Sequence, residues 1–192
     1  MHQYTDWERY GDGNANAKMV IHVFGDYFFV CPATYFAQKI KEGGAKVFYY
    51  SFNQDKSVRK LGTWMGASHT DDIEFVFGAP LASSKNYTEG EKQLSLNLMN
   101  YFTTFAKSGN PSLNETEWPE YSKDNQTYMV LHETGNTLSV NGPRATACAF
   151  WNDLMPKLKK VLEEPNSLPE ERAEETIKQS GGTEHTTLTS SE

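Results

Sequence analysis

The stretch that decides the fold class is Pro32-Ala33-Thr34-Tyr35-Phe36-Ala37-Gln38-Lys39-Ile40-Lys41-Glu42-Gly43-Gly44-Ala45-Lys46-Val47-Phe48-Tyr49-Tyr50-Ser51-Phe52. Pro32 suits a first helical position and Gly43-Gly44 a C-terminal stop, so a helix is expected over about 32–42. Phe36, Ala37 and Ile40 fall on one face of it. Val47 to Phe52 follows at once, β-branched and aromatic with almost no polar alternation, the pattern of a strand buried on both faces in a parallel sheet. Helix, glycine turn and buried strand together specify an α/β layer.

Upstream, the first thirty residues read as mixed, with apolar patches at Met19-Val20-Ile21 and Val23-Phe24. Downstream, residues 53–72 are polar and irregular, and a short apolar segment, Ile73 to Phe77, leads into Gly78-Ala79-Pro80. Thr88 and Glu91 form a capping box for a helix over about 89–107, with Leu94, Leu98, Phe102 and Phe105 as its stripe and Gly109-Asn110-Pro111 as its end. Two short strands are expected over 127–131 and 136–140, around a turn at Glu133-Thr134-Gly135. A last helix over about 145–162 carries Ala149, Phe150, Leu154 and Leu158 on one side, and Pro156 inside it is expected to bend it. No internal repeat occurs.

The 192 residues suffice for one domain with a core, and 38% hydrophobic and 13% aromatic residues fit a globular protein. No uninterrupted run of about 18 apolar residues is present, so no membrane-spanning helix is expected. The net charge of −7 argues against nucleic acid as a partner. Residues 163–192 hold eight acidic and two basic residues, a net of −6, and no Phe, Tyr or Trp. Such a tail cannot bury enough surface to offset its ordering entropy and is expected to be disordered, leaving 1–162 as the folded part. The two cysteines, Cys31 and Cys148, fit one disulfide or two free thiols. Sequons for N-glycosylation stand at Asn86, Asn114 and Asn125. The segment Met1 to Trp7 has no apolar core of a signal peptide, so an extracellular protein would not begin at this Met1.

An ordered set of short stretches resembles the type-B carboxylesterases and cholinesterases: Tyr4-Thr5-Asp6-Trp7, Gly25-Asp26 through Cys31-Pro32, Val47 to Phe52, Trp64-Met65-Gly66-Ala67-Ser68-His69, Ile73-Glu74-Phe75-Val76-Phe77-Gly78-Ala79-Pro80, Phe105-Ala106-Lys107-Ser108-Gly109-Asn110-Pro111, Trp118-Pro119 and Phe150-Trp151-Asn152. The resemblance covers about residues 4–160. It implies the C-terminal portion of an α/β-hydrolase fold, an incomplete sheet with flanking helices. It also implies a secreted ester hydrolase acting on a small ester, with no cofactor and no metal.

In that family the histidine of a Ser–Glu/Asp–His triad lies in the loop before the Ile-Glu-Phe-Val-Phe-Gly segment, and His69 holds that place. Imidazole titrates near neutrality, so it can take the serine proton and return it to the leaving alcohol. Without the resemblance, a surface or core-satisfied histidine is the plainer reading. No Gly-x-Ser-x-Gly elbow and no glycine-rich oxyanion loop occur, and the acid is expected upstream of Met1. Asp71 and Asp72 are substitutes for it only in name, being too near His69 in sequence to orient it. The polypeptide alone is therefore expected to be inactive.

The resemblance further implies a Cys31–Cys148 disulfide. It implies a homodimer helix with Leu154, Leu158 and Leu162 on its apolar face, although these residues fit equally a helix packed only on its own domain. Where cholinesterases carry gorge aromatics that bind quaternary ammonium, this chain has Leu61 and Asp71, and Ser68-His69-Thr70-Asp71-Asp72 is closer to general carboxylesterases. The alternative is a non-catalytic, neuroligin-like adhesion protein, distinguished by the residue at the missing elbow. A stand-alone binding module is disfavoured, because a parallel sheet cut from its central strands exposes apolar faces and unpaired edges.

Overall fold

The computed structural model describes residues 2–58, 66–82, 84, 86–113, 116–139 and 141–163. Leu61, Trp64, Met65, Asn114 and all of the acidic tail beyond Glu163 lie outside the described residues. After a 3-10 turn at His2–Tyr4 come helix α1 (Gly13–Gly25), a π turn (Asp26–Val30), helix α2 (Cys31–Glu42) and strand β1 (Tyr50–Phe52). Helix α3 (Asp71–Val76), a 3-10 turn at Ala79–Leu81 and helix α4 (Glu89–Ser108) follow. Strands β2 (Tyr128–Leu131) and β3 (Thr137–Ser139), helix α5 (Ala145–Ala149), a second π turn (Phe150–Leu154) and helix α6 (Met155–Glu163) complete the order. Helices packed on a small mixed sheet are the architecture expected of a partial α/β-hydrolase.

The helix expected from Pro32 begins much earlier. Asp12 caps α1, accepting from the Asn14 and Ala15 amides at 2.8 and 3.3 Å. The helical run then continues through α2. Propensity hides this, because Val20-Ile21-His22-Val23-Phe24 and Gly25 are indifferent or poor helix formers. Pro32 is thus not a first helical residue but an internal one. Both π turns end two residues before a proline, Pro32 and Pro156. A proline withholds one N–H and crowds the carbonyl four residues back, and the widened turn before it accommodates both effects. The carbonyl of Cys31 is taken up by the Asn152 side-chain amide at 2.8 Å.

By length and composition the run Gly13–Glu42 is also apolar enough to cross a membrane, which the count of uninterrupted apolar residues did not anticipate. Besides that Asn152 bond, it is fastened within the described chain to the α5 region by a disulfide and by a buried ion pair. Cys31 is disulfide-bonded to Cys148 across a sequence separation of 117. Asp26, only 2% exposed, accepts from Arg144 Nε and Nη2 at 3.0 and 2.8 Å and from the Tyr4 hydroxyl at 2.9 Å, while Trp151 Nε1 donates to that hydroxyl at 2.7 Å. Removing Arg144 would leave a buried carboxylate uncompensated. Because the Arg144 side chain is 40% exposed, Arg144→Ala is expected to cost about 3 kcal/mol, the low end of the range for breaking a buried pair. Urea denaturation of the variant against the parent chain measures it, and a change under about 1 kcal/mol would contradict the assignment.

The sheet has the order β1-β2-β3. β1 runs parallel to β2 with Tyr50 opposite Met129 and Phe52 opposite Leu131, and β3 returns antiparallel with Leu138 opposite Met129. The extended backbone starts before β1, since the Val47 and Tyr49 carbonyls accept from the Tyr121 and Met129 amides at 2.7 and 3.0 Å. Residues 47–52 are half-buried rather than covered on both faces as expected. Both faces have ring contacts, Phe48 and Tyr50 with α4 and Tyr49 with Tyr121, but β1 is the edge strand of the described sheet, so its side chains lack lateral cover from a further strand among the described residues.

The core lies between this sheet and the α3–α4 pair: Phe75, Tyr87, Leu94, Leu98, Tyr101, Trp118, Met129 and Leu131. The α4 capping box forms as expected, with Thr88 Oγ1 accepting from the Glu91 amide at 3.0 Å and Glu91 Oε2 from the Thr88 amide at 2.7 Å. Gly109 closes the helix at φ 71°. The buried face is Leu94, Leu98 and Tyr101, however, while Phe102 and Phe105 stay exposed. Val20, Ile21, Phe24, Phe28, Phe36 and Ile40 on α1, the first π turn and α2 are exposed as well.

Candidate active site

The loop leaving the C-terminal end of β1 is fixed by buried polar groups. The Asn53 amide makes the last bond to β2, donating to the Leu131 carbonyl at 3.0 Å. Buried Gln54 accepts from the Glu133 amide at 3.0 Å. The Ser57 amide donates to the fully buried Glu91 at 2.7 Å, and its hydroxyl makes a second, shorter bond to the same carboxylate. The box that caps α4 therefore also anchors the loop.

The chain then makes a tight turn into α3. The Asp71 amide donates to the Ser68 carbonyl at 3.1 Å, and Asp71 Oδ2 accepts from the Ser68 amide at 2.8 Å. Each acidic residue of α3 is held from outside the helix. Lys56 Nζ lies 2.9 Å from Asp71 and 3.4 Å from Glu74. The Tyr50 hydroxyl of β1 donates to Asp72 at 2.8 Å, and the Tyr87 hydroxyl to Glu74 at 2.5 Å. Burial first, and then these carboxylates, push both tyrosines well above the usual phenol range, so both stay protonated donors. The turn is thereby tied to the sheet by Tyr50 and to the core by Tyr87.

His69 sits at the outer corner of this turn and is exposed. Its ring stacks on Phe29 of the first π turn, centroids 4.1 Å apart and planes 27° from parallel. Among the described residues no side chain donates to or accepts from its ring nitrogens. Asp71 and Asp72 have structural work, capping the turn, pairing with Lys56 and accepting from Tyr50.

Thr70, next to His69, holds φ at 75°, a left-handed conformation unfavourable for a β-branched residue. Glycine adopts it without that cost. Thr70→Gly is expected to stabilise the chain by about 1 kcal/mol, read as a higher denaturation midpoint, and a lower midpoint would contradict the strain.

The other singled-out residues lie elsewhere. Asn86 and Asn125 are exposed; Asn125 donates to the Glu120 carbonyl at 3.3 Å and accepts from its own sequon hydroxyl, Thr127, at 2.6 Å. Leu154, Leu158 and Leu162 are all exposed, so within the described chain they pack on nothing that covers them. An open surface depression of about 440 Å³, lined among others by Gln3, Tyr4, Gly142 and Arg144, belongs to the Asp26–Arg144 network and not to His69. Phe29 was missed in the sequence; its signal was the aromatic run Tyr27-Phe28-Phe29 immediately before Cys31-Pro32.

Against known proteins, the profile of the carboxylesterase family matches residues 1–151. The chain is similar to an acetylcholinesterase of Leptinotarsa decemlineata, 47% identical over 157 residues, which is 82% of this chain and 25% of that protein. It is 38% identical to an acetylcholinesterase of Bungarus fasciatus and 39% identical to one of Gallus gallus, each over 81% of this chain but over 26% and 20% of those proteins. The chain thus spans about a quarter of the length of these relatives. None of the three supports the non-catalytic adhesion reading.

Proposed function

The chain belongs to the carboxylesterase family, and from that premise we propose that it supplies His69 as the general base and acid of a Ser–Glu/Asp–His triad in a secreted, acetylcholinesterase-like carboxylic-ester hydrolase. The serine, the acid and the oxyanion donors come from a longer polypeptide, in the roughly three quarters of the relatives' length that this chain does not span. The observation that carries the reading is the turn Ser68–Asp71. It holds an exposed imidazole on the loop that leaves the C-terminal end of a parallel strand, where this fold class places its base.

His69 would take the serine proton as the oxygen attacks the ester carbonyl, and would return it to the leaving alcohol as the tetrahedral adduct collapses. In the second half it would take a proton from water, whose oxygen attacks the acyl carbonyl, and would return that proton to the serine as the acid departs. The bonds holding Asp71, Asp72 and Glu74 make the turn a rigid platform, so the imidazole does not have to be ordered anew in each cycle. The Cys31–Cys148 disulfide supports an oxidising, secretory environment. Exposed Asn86 and Asn125 fit glycan acceptors there.

The names of the acetylcholinesterase relatives support a small acyl ester as substrate, while Asp71, buried and paired with Lys56 where cholinesterases carry a gorge aromatic, offers no ring face to a quaternary ammonium. The chain lacks a nucleophile elbow, so by itself it is expected to hydrolyse p-nitrophenyl acetate no faster than its His69→Ala variant. Turnover above that control would overturn the division of the triad between segments.

A further inference from the structure

We propose that Phe29 is the positioning residue for His69: its ring, carried on the π turn Asp26–Val30, fixes the plane of the imidazole while leaving both ring nitrogens open. This rests on the catalytic reading of His69 and deepens it.

A general base at a turn has two needs that conflict. Its ring must be held, yet both nitrogens must stay available, one for the serine oxygen and the other for the orienting acid. A hydrogen bond from a neighbour would hold the ring at the cost of one nitrogen. A face-to-face contact holds it and costs neither. The 4.1 Å, 27° stack on Phe29 is of that kind.

The position of Phe29 is in turn determined by the π turn. The Cys31 amide donates to the Asp26 carbonyl, enclosing one more residue than an α-turn does. One residue fewer would rotate the side chain by about 100° around the helix axis and away from His69. The turn is clamped at both ends. Asp26 is held by Arg144 and Tyr4, Cys31 by its disulfide and by Asn152, and between them Tyr27 packs edge-on against Trp151 at 4.8 Å. The long-range contacts of Asp26, Tyr27 and Cys31 thus hold the turn on either side of Phe29, whose ring touches the imidazole. Phe29 itself is 46% exposed, so its contribution to the core is limited and replacing it leaves the fold standing.

The test uses the longer polypeptide for kinetics and this chain for spectroscopy. Phe29→Ala is expected to lower kcat for a p-nitrophenyl ester by about ten- to a hundredfold with KM nearly unchanged, the pattern of a misplaced base. Phe29→Tyr, which keeps the ring, is expected to restore kcat to near the parent value. An unchanged kcat in Phe29→Ala, or a Phe29→Tyr variant as slow as Phe29→Ala, would overturn the inference. His69→Ala is run in parallel. If it retains turnover, the catalytic reading falls; if it loses turnover while Phe29→Ala does not, only the role of Phe29 falls. Independently of activity, the imidazole carbon-bound protons of His69 are expected upfield in the NMR spectrum of this chain, under the Phe29 ring current, and to move downfield in Phe29→Leu. Resonances that stay in place would refute the stack itself.

Discussion

Replacing both Cys31 and Cys148 by serine is expected to destabilise the chain by about 5 kcal/mol. The bond closes a loop with a sequence separation of 117, and the chain-entropy account assigns a loop of that size close to this value. The effect is large against a typical domain stability of 5–15 kcal/mol, because the two helical ends of the chain share few other fastenings. Those others are the Asp26–Arg144 pair, the Asn152–Cys31 bond and the Tyr27–Trp151 contact. All lie within a turn or two of the disulfide. The first and last helices are therefore expected to separate together when it is lost, while the α4–sheet core survives longer. Guanidinium unfolding followed by tryptophan fluorescence, with and without reductant, measures this. A double variant within about 1 kcal/mol of the parent would show that the helices are held by something else.

His69→Ala in the longer polypeptide is expected to lower kcat/KM for a small acyl ester by about four to six powers of ten, the range for loss of a triad member. Its effect on folding is expected to be slight, because His69 is exposed and its described contact is a single stacked ring. That pairing of a large kinetic loss with a small change in melting temperature separates catalysis from structure. A fall in activity matched by a fall in folded fraction would point to a structural histidine instead.

Much of the α/β layer could be read from local chemistry. Thr88 and Glu91 announce α4 because a reciprocal cap is a contact between near neighbours, and Gly109 ends it because its φ is positive. Gly43-Gly44 ends α2 for a related reason, with Gly44 at φ 88°. The hairpin of β2 and β3 follows from alternation and the glycine turn. The elements misread were those settled by distant partners. α1 and the first π turn depend on Arg144, Cys148 and Trp151, far along the chain, and Pro32 looks like a helix start to any reading confined to its neighbours. The stripe on α4 faces the sheet, with Phe102 and Phe105 edge-on to Tyr50 and Phe48, but these two rings stay partly uncovered, because period alone does not say where the cover over a face stops.

The site was legible in a different way. A lone histidine in a polar loop carries no local mark of catalysis, and His69 stood out only through the ordered motifs around it. Once the turn is built, the reasons for its neighbours become physical: Asp71 caps, Asp72 takes the Tyr50 proton donor, and Glu74 takes that of Tyr87. The aromatic run before Cys31-Pro32 marks Phe29, but which of its rings meets His69 depends on one extra residue in a helical turn, which local pattern does not specify.

The most direct test of the central claim is the rate at which a fluorophosphonate probe labels the nucleophilic serine of the longer polypeptide, with and without His69. The reaction reports activation of the serine oxygen alone and needs no turnover. The account predicts fast labelling of one serine peptide in the parent protein and labelling slower by at least about a thousandfold in His69→Ala at unchanged folded fraction. Equal labelling rates in the two proteins would show that another group activates the serine, and His69 would lose its role.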